Sequence, residues 1–309
     1  MYDQRPQPPQ FPPQYGPQSL QFAPMTVGQI LDRTFNLYRR NFVRYVTITA
    51  LVYIPIALIA TIIMSTLLTS FVEWAESAKE SQGAGATEEF DFAMFGQLMA
   101  SVYATLIFLQ LGQEFSKAAL AKGVSESYMA REARVGDAMR ALLRRGVVVF
   151  IAFIVVLVVT VVGMMACFVP GVFCWLWFML TTQVIVVEKR GPFAAMARSK
   201  RLVAGNMGKA FGLGLLLWLI TMIVGGMFGQ LGQAIGQAVL PDGPTEQVVI
   251  SQLAQALGQI LALPIVAIAM ILFYYDLRIR KEGFDLEMLA QSLGSEGTPP
   301  YGAPPIQQV

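Results

Sequence analysis

The stretch GVVVFIAFIVVLVVTVVGMMACFVPGVFCWLWFMLTTQVIVV, residues 146–187, decides the fold because none of its side chains is charged. A helix of about 20 apolar residues spans the hydrocarbon core of a bilayer, so this run is long enough to cross it twice. Pro170 and Gly171 lie near its middle, and such a pair is typical of a tight turn. The run therefore predicts a transmembrane hairpin with spans at residues 146–168 and 172–187.

Other uncharged runs are each long enough for one further span. They predict helices at residues 45–72, 92–113, 210–231 and 254–275. Only 14% of the 309 residues are charged, compared with about 25% in an average soluble domain. The sequence thus excludes a soluble single domain and predicts an all-α, polytopic membrane protein with six transmembrane helices.

A short basic segment precedes each odd-numbered span, at residues 27–42, 135–146 and 193–209. In the first segment Ile30 and Leu31 fall on a different helical face from Arg39 and Arg40, and helices of this kind lie in the membrane interface. We therefore predict three hairpins, each preceded by a short interfacial amphipathic helix.

The basic faces of these segments are candidate contacts for anionic lipid head groups. The residues concerned are Arg39, Arg40, Arg144 and Arg145. Each basic side chain near an anionic membrane surface contributes about 1 kcal/mol to binding. The same charges also explain the orientation of the protein without any specific lipid recognition, and this alternative stays open.

The predicted membrane domain covers residues 25–291 and has tails of different composition. Residues 1–24 are rich in proline and glutamine, and residues 292–309 are rich in proline, glycine and glutamine. Such segments bury too little apolar surface to offset the entropy cost of ordering, so we expect both tails to be disordered.

The positions of the 22 basic residues predict the orientation. All of them except Lys79 fall on one side of the predicted spans. Basic residues accumulate on the cytoplasmic side of membrane proteins, so we predict that both termini are cytoplasmic.

The chain has no histidine, which excludes Ser-His-Asp and Cys-His catalysis, histidine-ligated zinc and histidine acid–base chemistry. Its two cysteines, Cys167 and Cys174, are too few for a thiolate metal cage. They flank the predicted turn, where a disulfide is possible, although two apolar buried cysteines without a disulfide fit a helical hairpin better. We therefore expect no cofactor, no metal and no enzymatic activity.

A candidate polar path combines one ion pair with two glutamine stripes. Glu114 and Lys117 stand one turn apart near the inner end of the second span, and ionisable residues inside a bilayer are often functional. Glutamines recur at i, i+3, i+7 in the fifth and sixth helices, so that Gln230 would face Gln259 and Gln233 would face Gln255. An interfacial ion pair and simple helix adhesion explain the same pattern, and we favour that structural interpretation.

Three segments resemble a known bacterial family. They are residues 273–286 (FYYDLRIRKEGFDL), residues 26–32 (TVGQILD), and residues 170–171 with 187–188 and 197–206. These residues resemble the membrane domain of glycerophosphoryl diester phosphodiesterase and related six-span proteins, over about residues 25–288. The resemblance implies a six-helix fold in the bacterial cytoplasmic (inner) membrane. In full-length relatives a separate barrel domain with histidines catalyses hydrolysis, so the resemblance implies the membrane fold and not the reaction.

The last of these segments alternates acidic and basic residues as it leaves the membrane. We predict a structural latch, or a partner contact, that joins it to the cytoplasmic segment after the fourth span. The residues are Asp276, Arg278, Arg280, Glu282 and Asp285 on one side and Glu188, Arg198 and Arg201 on the other. Exposed ion pairs contribute only about 0–1 kcal/mol each, so a latch requires a network.

Two functional hypotheses follow. The first is a non-enzymatic accessory or scaffold module that engages lipids or another membrane protein at the cytoplasmic face, with no nucleic-acid partner. The alternative is a transporter or channel for a small solute or lipid-related substrate. The third and fourth spans are almost wholly apolar, which disfavours a continuous polar route there. The sequence leaves the oligomeric state open.

Overall fold

The computed structural model describes residues 24–82, 92–128, 135–241 and 243–283, and these residues form helices and short connections without strands. The helices are α1 (Val27–Arg40), α2 (Phe42–Gln82), α3 (Phe92–Tyr128), α4 (Val135–Ala166), α5 (Phe168–Phe178), α6 (Thr181–Val187), α7 (Pro192–Val203), α8 (Met207–Val239) and α9 (Pro244–Glu282). The two predicted tails lie largely outside the described residues.

Within the described ranges, six segments are long enough and apolar enough to span a membrane. They are Phe42–Val72, Phe95–Ser127, Val135–Ala166, Phe168–Val187, Met207–Val239 and Thr245–Glu282. The prediction of an all-α protein with six membrane-spanning segments is thereby confirmed.

The turn between the third and fourth spans lies earlier than predicted. Helix α4 ends at Ala166, Cys167 adopts an extended conformation (φ −173°, ψ 146°), and α5 begins at Phe168. Pro170 therefore lies in the first turn of α5, where a missing backbone N–H does no harm. Gly171 packs against α4 so closely that a Cβ atom would lie 2.6 Å from the Met164 sulfur. This glycine serves helix packing, and the prediction of a turn there was wrong.

The fourth span is broken into two helices. Helix α5 ends at Phe178 and α6 begins at Thr181. The buried Ser199 of α7 bridges the break, because its hydroxyl donates to the Trp177 carbonyl (2.6 Å) and accepts from the Leu180 N–H (3.2 Å). A break at membrane depth is tolerated only where such partners satisfy the backbone.

Helices α8 and α9 are antiparallel and approach closely along a glycine stripe. A Cβ atom at Gly232 would lie 2.6 Å from the Ala254 Cβ atom, and one at Gly225 would lie 2.5 Å from the Gln259 Nε2 atom. Gln259 thus packs on Gly225 and not on Gln230, so the predicted pairing of glutamines across the two helices was wrong. Small residues form this interface because they allow the two helix backbones to approach closely.

The chain divides into two compact units, residues 27–274 and a smaller one whose described parts are residues 24–26 and 275–283. In the larger unit, α2 and α9 share a cluster that includes Tyr53 and Leu263. The C-terminal part of α3 is also central there, since residues 118–121 are fully buried. This packing sets the positions of the polar side chains on α3.

Candidate functional site

The larger unit contains a cavity of about 350 Å³, here called the ion-pair cavity. Side chains of α3, α4, α5, α6, α8 and α9 line it. Its charged lining residues are Glu114 and Lys117, and Gln110, Gln113, Thr181 and Thr182 lie beside them. The remaining walls are mostly apolar, as in ligand pockets that bury a molecule with one polar group.

The ion pair of this cavity is connected to a second helix. The Lys117 ammonium contacts one oxygen of the Glu114 carboxylate, and the Thr182 hydroxyl donates to the other at 2.7 Å. The two charged side chains are only 13% and 19% exposed. Glu114 lies about 21 Å of helix rise before the end of α3 at Tyr128. The pair is therefore enclosed by packed helices and lies well away from the end of its own helix.

The broken fourth span forms one wall of the ion-pair cavity. Phe178 is the last residue before the break, Met179 lies in the break, and Thr181 and Thr182 follow it. All four residues line the cavity. The hydroxyls of Thr181 and Thr160 are buried and have no hydrogen-bond partner in the described structure. Buried polar groups are almost always satisfied, so these two hydroxyls indicate a place for a polar ligand or water.

A second cavity of about 190 Å³, here called the glutamine cavity, lies between α2, α3 and α9. Its polar lining residues are Tyr53, Thr61, Gln110, Gln113, Gln252, Gln255 and Gln259. Gln110 and Gln113 therefore line both cavities. The side-chain oxygen of Gln259 is buried without a partner among the described residues.

The structure separates the residues of the predicted polar path. Glu114 and Lys117 line the ion-pair cavity, and Gln255 and Gln259 line the glutamine cavity. Gln230 and Gln233 are exposed on α8 and line neither of these cavities. The glutamine spacing was the same on both helices, and only the packing of the α8 glycines decides which stripe faces inward.

Glu188 is the centre of a hydrogen-bond cluster in the larger unit. Arg198 Nε donates to both carboxylate oxygens (2.9 and 3.2 Å), Arg190 Nε donates at 2.6 Å, and the Tyr274 hydroxyl donates at 2.9 Å. Burial alone would raise the pKa of Glu188, but the hydrogen bonds from these three residues outweigh it, so the pKa lies below its ordinary value. Glu188 and Arg198 of the predicted latch thus contact each other.

The smaller unit contains an acid–base pair that forms hydrogen bonds with the backbone of Met25. The fully buried Asp276 accepts hydrogen bonds from the Met25 N–H (2.6 Å) and from Arg280 Nε (3.1 and 3.2 Å). Arg280 Nη2 also donates to the Met25 carbonyl oxygen at 2.9 Å. No sequence pattern predicted this partner, because the backbone groups of an irregular segment carry no side-chain pattern.

The other described residues among the predicted contacts are either exposed or paired within their own helix. Arg278 pairs with Glu282 one turn along α9, and Arg201 is exposed on α7. Asp285 lies outside the described residues. Among the candidate lipid contacts, Arg39, Arg40 and Arg144 are exposed and Arg145 is half-buried, next to exposed apolar residues such as Phe42 and Leu143. Their role as lipid contacts stays a prediction.

The described residues offer no built metal centre. No three side chains among their Asp, Glu and Cys residues lie close enough together to hold a metal ion. In the described structure Cys167 and Cys174 are free thiols. Cys167 is exposed and Cys174 is half-buried, so the prediction of two buried cysteines was wrong.

Comparison with known proteins gives one family. Residues 133–277 match the family model described as "Domain of unknown function (DUF7847)". The match covers just under half of the chain, from the start of α4 into the last turns of α9. No curated protein and no solved structure matches the chain. The chain is thus similar to a family whose description states no activity, and functional arguments rest on the geometry.

Proposed function

We propose that this protein is a non-enzymatic integral membrane protein that binds a small amphiphilic molecule in the ion-pair cavity. One observation carries the proposal: a buried acid and base stand together at one end of a cavity whose other walls are largely apolar. A charged pair is expensive to bury, so its presence beside an open space favours a ligand over a purely structural role.

The charges of the site favour a zwitterionic head group. Lys117 presents an ammonium to an anionic group, and Glu114 presents a carboxylate to a cationic one. A head group that carries both charges replaces the contact between the two side chains with two contacts to the ligand. Thr182 keeps the Glu114 carboxylate in position at 2.7 Å, and charge-assisted hydrogen bonds of this kind are about twice as strong as neutral ones.

The apolar walls and the size favour a molecule with a single chain. Phe153, Leu157, Leu217 and Leu263 line the cavity away from the ion pair. Its volume of about 350 Å³ lies at the small end of ligand pockets, which hold about 300–1,000 Å³. Trp218, also on its wall, is 54% exposed. The cavity thus extends to the outer face of the helices, where a chain can continue into the hydrocarbon.

The proposed setting is the cytoplasmic membrane of a bacterium, with both termini in the cytoplasm. The basic side chains Arg39, Arg40 and Arg144 are then exposed towards anionic head groups on the cytoplasmic side. This supports an accessory role that engages lipids, and another membrane protein is a further candidate partner. Resemblance to a phosphodiesterase-associated membrane domain fits such a role.

The test compares four amphiphiles with the same alkyl chain and different heads. Alkylphosphocholine is zwitterionic, alkyl sulfate anionic, alkyltrimethylammonium cationic and alkyl maltoside uncharged. Binding to the purified full chain in lipid nanodiscs is measured at sub-micellar concentration. We expect the phosphocholine to bind at least about tenfold more tightly than the maltoside, since one hydrogen bond to a charged group contributes about 1.5–3 kcal/mol.

Two substitutions turn this comparison into a test of the site. Glu114→Gln should shift the preference towards the alkyl sulfate, and Lys117→Gln should shift it towards the trimethylammonium compound. Lys122 and Glu126 form a matched ion pair on the same helix that does not line the cavity. Lys122→Gln and Glu126→Gln should leave the preference unchanged. If all four variants show the wild-type order of affinities, the proposed site is wrong.

A further inference from the structure

The two cavities lie one after the other along the same helices. On α9 the ion-pair cavity uses residues Leu263, Val266 and Met270, and the glutamine cavity uses residues between Gln252 and Gln259. On α3 the order is the same, as expected for the second and sixth spans, which cross the membrane in the same direction: the ion-pair cavity extends to Lys117 and the glutamine cavity begins at Leu106.

Together the cavities cover most of the thickness of a bilayer. From Gln252 to Met270 is about 18 residues, or about 27 Å of helix rise. The hydrocarbon core of a typical bilayer is about 30 Å thick. Two separate pockets at the same depth would not have this property. Their staggered arrangement places polar side chains one after another along this length.

The boundary between the cavities is one helical turn of polar side chains. Gln110 and Gln113 stand one turn apart on α3 and line both cavities. Gln259, on the glutamine side of the boundary, has a buried side-chain oxygen with no partner in the described structure. A boundary of amide side chains offers donors and acceptors to a passing polar group, whereas a boundary of leucine or phenylalanine would exclude it.

The ends of this arrangement differ. Beyond Lys117, residues 118–121 of α3 are fully buried and close the ion-pair cavity at that end. At the other end Gln255 is exposed and Gln252 is half-buried, so the glutamine cavity reaches the surface. Each cavity also has an exposed apolar side chain on its wall, Trp218 at 54% and Leu106 at 55%.

We propose that the two cavities are successive stations on one polar route, along which the head group of the bound amphiphile moves across the bilayer while its chain stays in the hydrocarbon. Gln110 and Gln113 form the gate between the stations, and Glu114 with Lys117 forms the final binding site. The described conformation is open towards the glutamine end and closed beyond Lys117. This inference rests on the proposed function, because it requires the amphiphile to bind in the ion-pair cavity.

The experiment measures movement of a zwitterionic amphiphile between leaflets. The full chain is reconstituted into phosphatidylcholine vesicles that contain an alkylphosphocholine with a nitroxide near its head. Ascorbate added outside reduces only the label in the outer leaflet, so the slow phase of signal loss reports movement from the inner leaflet. We expect the wild-type protein to accelerate this phase at least about tenfold over protein-free vesicles.

The decisive variant is Gln110→Leu with Gln113→Leu. Its matched control is Gln230→Leu with Gln233→Leu, since these two glutamines are exposed on α8 and line neither cavity. The gate variant should return the slow phase to within about twofold of protein-free vesicles and unfold in mild detergent at the wild-type temperature. The control should behave as wild type in both measurements. A second readout uses Gln259→Cys and Gln230→Cys in a chain with both native cysteines replaced by serine. A membrane-impermeant thiol reagent should label both positions.

The outcomes separate this inference from the proposed function. If wild-type protein binds the amphiphile but leaves the slow phase at the protein-free rate, the route is wrong and the binding site stands. Movement at the wild-type rate in the gate variant overturns the assignment of Gln110 and Gln113. Absence of labelling at Gln259→Cys also contradicts the route. If the wild-type protein binds no alkylphosphocholine, the proposed function itself fails.

Discussion

Glu114 and Glu188 are two glutamates of the same helical unit with opposite surroundings. Glu188 accepts hydrogen bonds from Arg190, Arg198 and Tyr274 and lines neither of the two cavities described. Glu114 is held by Lys117 and Thr182 and faces a cavity of about 350 Å³. The first carboxylate is surrounded by donors that fold together with it, and the second keeps a side open to a ligand.

The difference shows why a buried charge does not by itself indicate function. A carboxylate with several fixed donors loses most of its stabilisation when any partner is removed, so it acts as part of the fold. A carboxylate beside a cavity can exchange a protein partner for a ligand or for water. Burial is similar for the two side chains, 12% exposed for Glu188 and 19% for Glu114. The two side chains differ in what lies next to them: Glu114 lines one of the two cavities described, and Glu188 lines neither of them.

The largest effect is expected for Glu188→Ala. The substitution leaves the Arg198 guanidinium and the Tyr274 hydroxyl without their carboxylate, and breaking a buried pair in this way costs about 3 kcal/mol. Thermal unfolding in a mild detergent should therefore show a clear loss of stability, with alkylphosphocholine binding retained below the transition. Glu126→Ala removes an acid from a more exposed pair and should cost less than about 1 kcal/mol. Equal losses for the two variants would contradict the structural role of Glu188.

The sequence predicted the all-α class and the six spans because these depend on runs of apolar residues, which are local properties. It placed a turn at Pro170 and Gly171 because a proline in the first turn of a helix looks, in sequence, like one that ends a helix. Gly171 is explained only by its contact with Met164 across α4 and α5. Interhelical contacts of this kind have no signature within either segment.

The candidate site was predictable only in part, for the same reason. Glu114 and Lys117 stand out in sequence because they are charges next to an apolar span. Thr182 does not stand out, since a threonine in an apolar helix usually bonds to its own backbone. The glutamine stripes of α8 and α9 are equivalent in spacing, and only the close packing on Gly225 and Gly232 turns the α9 stripe inward. How deep a polar side chain lies, and which neighbouring helix it faces, depends on tertiary packing.

Acidification should lower the thermal stability of the protein by removing the contribution of Glu188. Its pKa in the folded protein is lowered from the ordinary value of 4.5. A lowered pKa contributes stability that is present above the unfolded value and is lost as the pH falls through the folded value. Thermal stability should therefore contain a component that is constant above about pH 5.5 and declines below about pH 4.5. Subtracting the profile of Glu188→Gln should reveal it as an advantage of the wild type that shrinks as the pH falls, and an advantage that grows towards low pH would contradict the sign.

The smallest effect on stability is expected for Glu114→Ala. The substitution leaves Lys117 without its carboxylate, but the ammonium lies on the wall of a cavity of about 350 Å³. Water can enter a polar cavity of that size and solvate the ammonium, so we expect a cost of about 1 kcal/mol or less. Unfolding measured beside Glu188→Ala in the same detergent checks this, and alkylphosphocholine affinity should fall at least about tenfold in the same sample. A loss of stability as large as that of Glu188→Ala, with affinity unchanged, would show that Glu114 belongs to the fold and would remove the reason to treat the ion-pair cavity as a binding site.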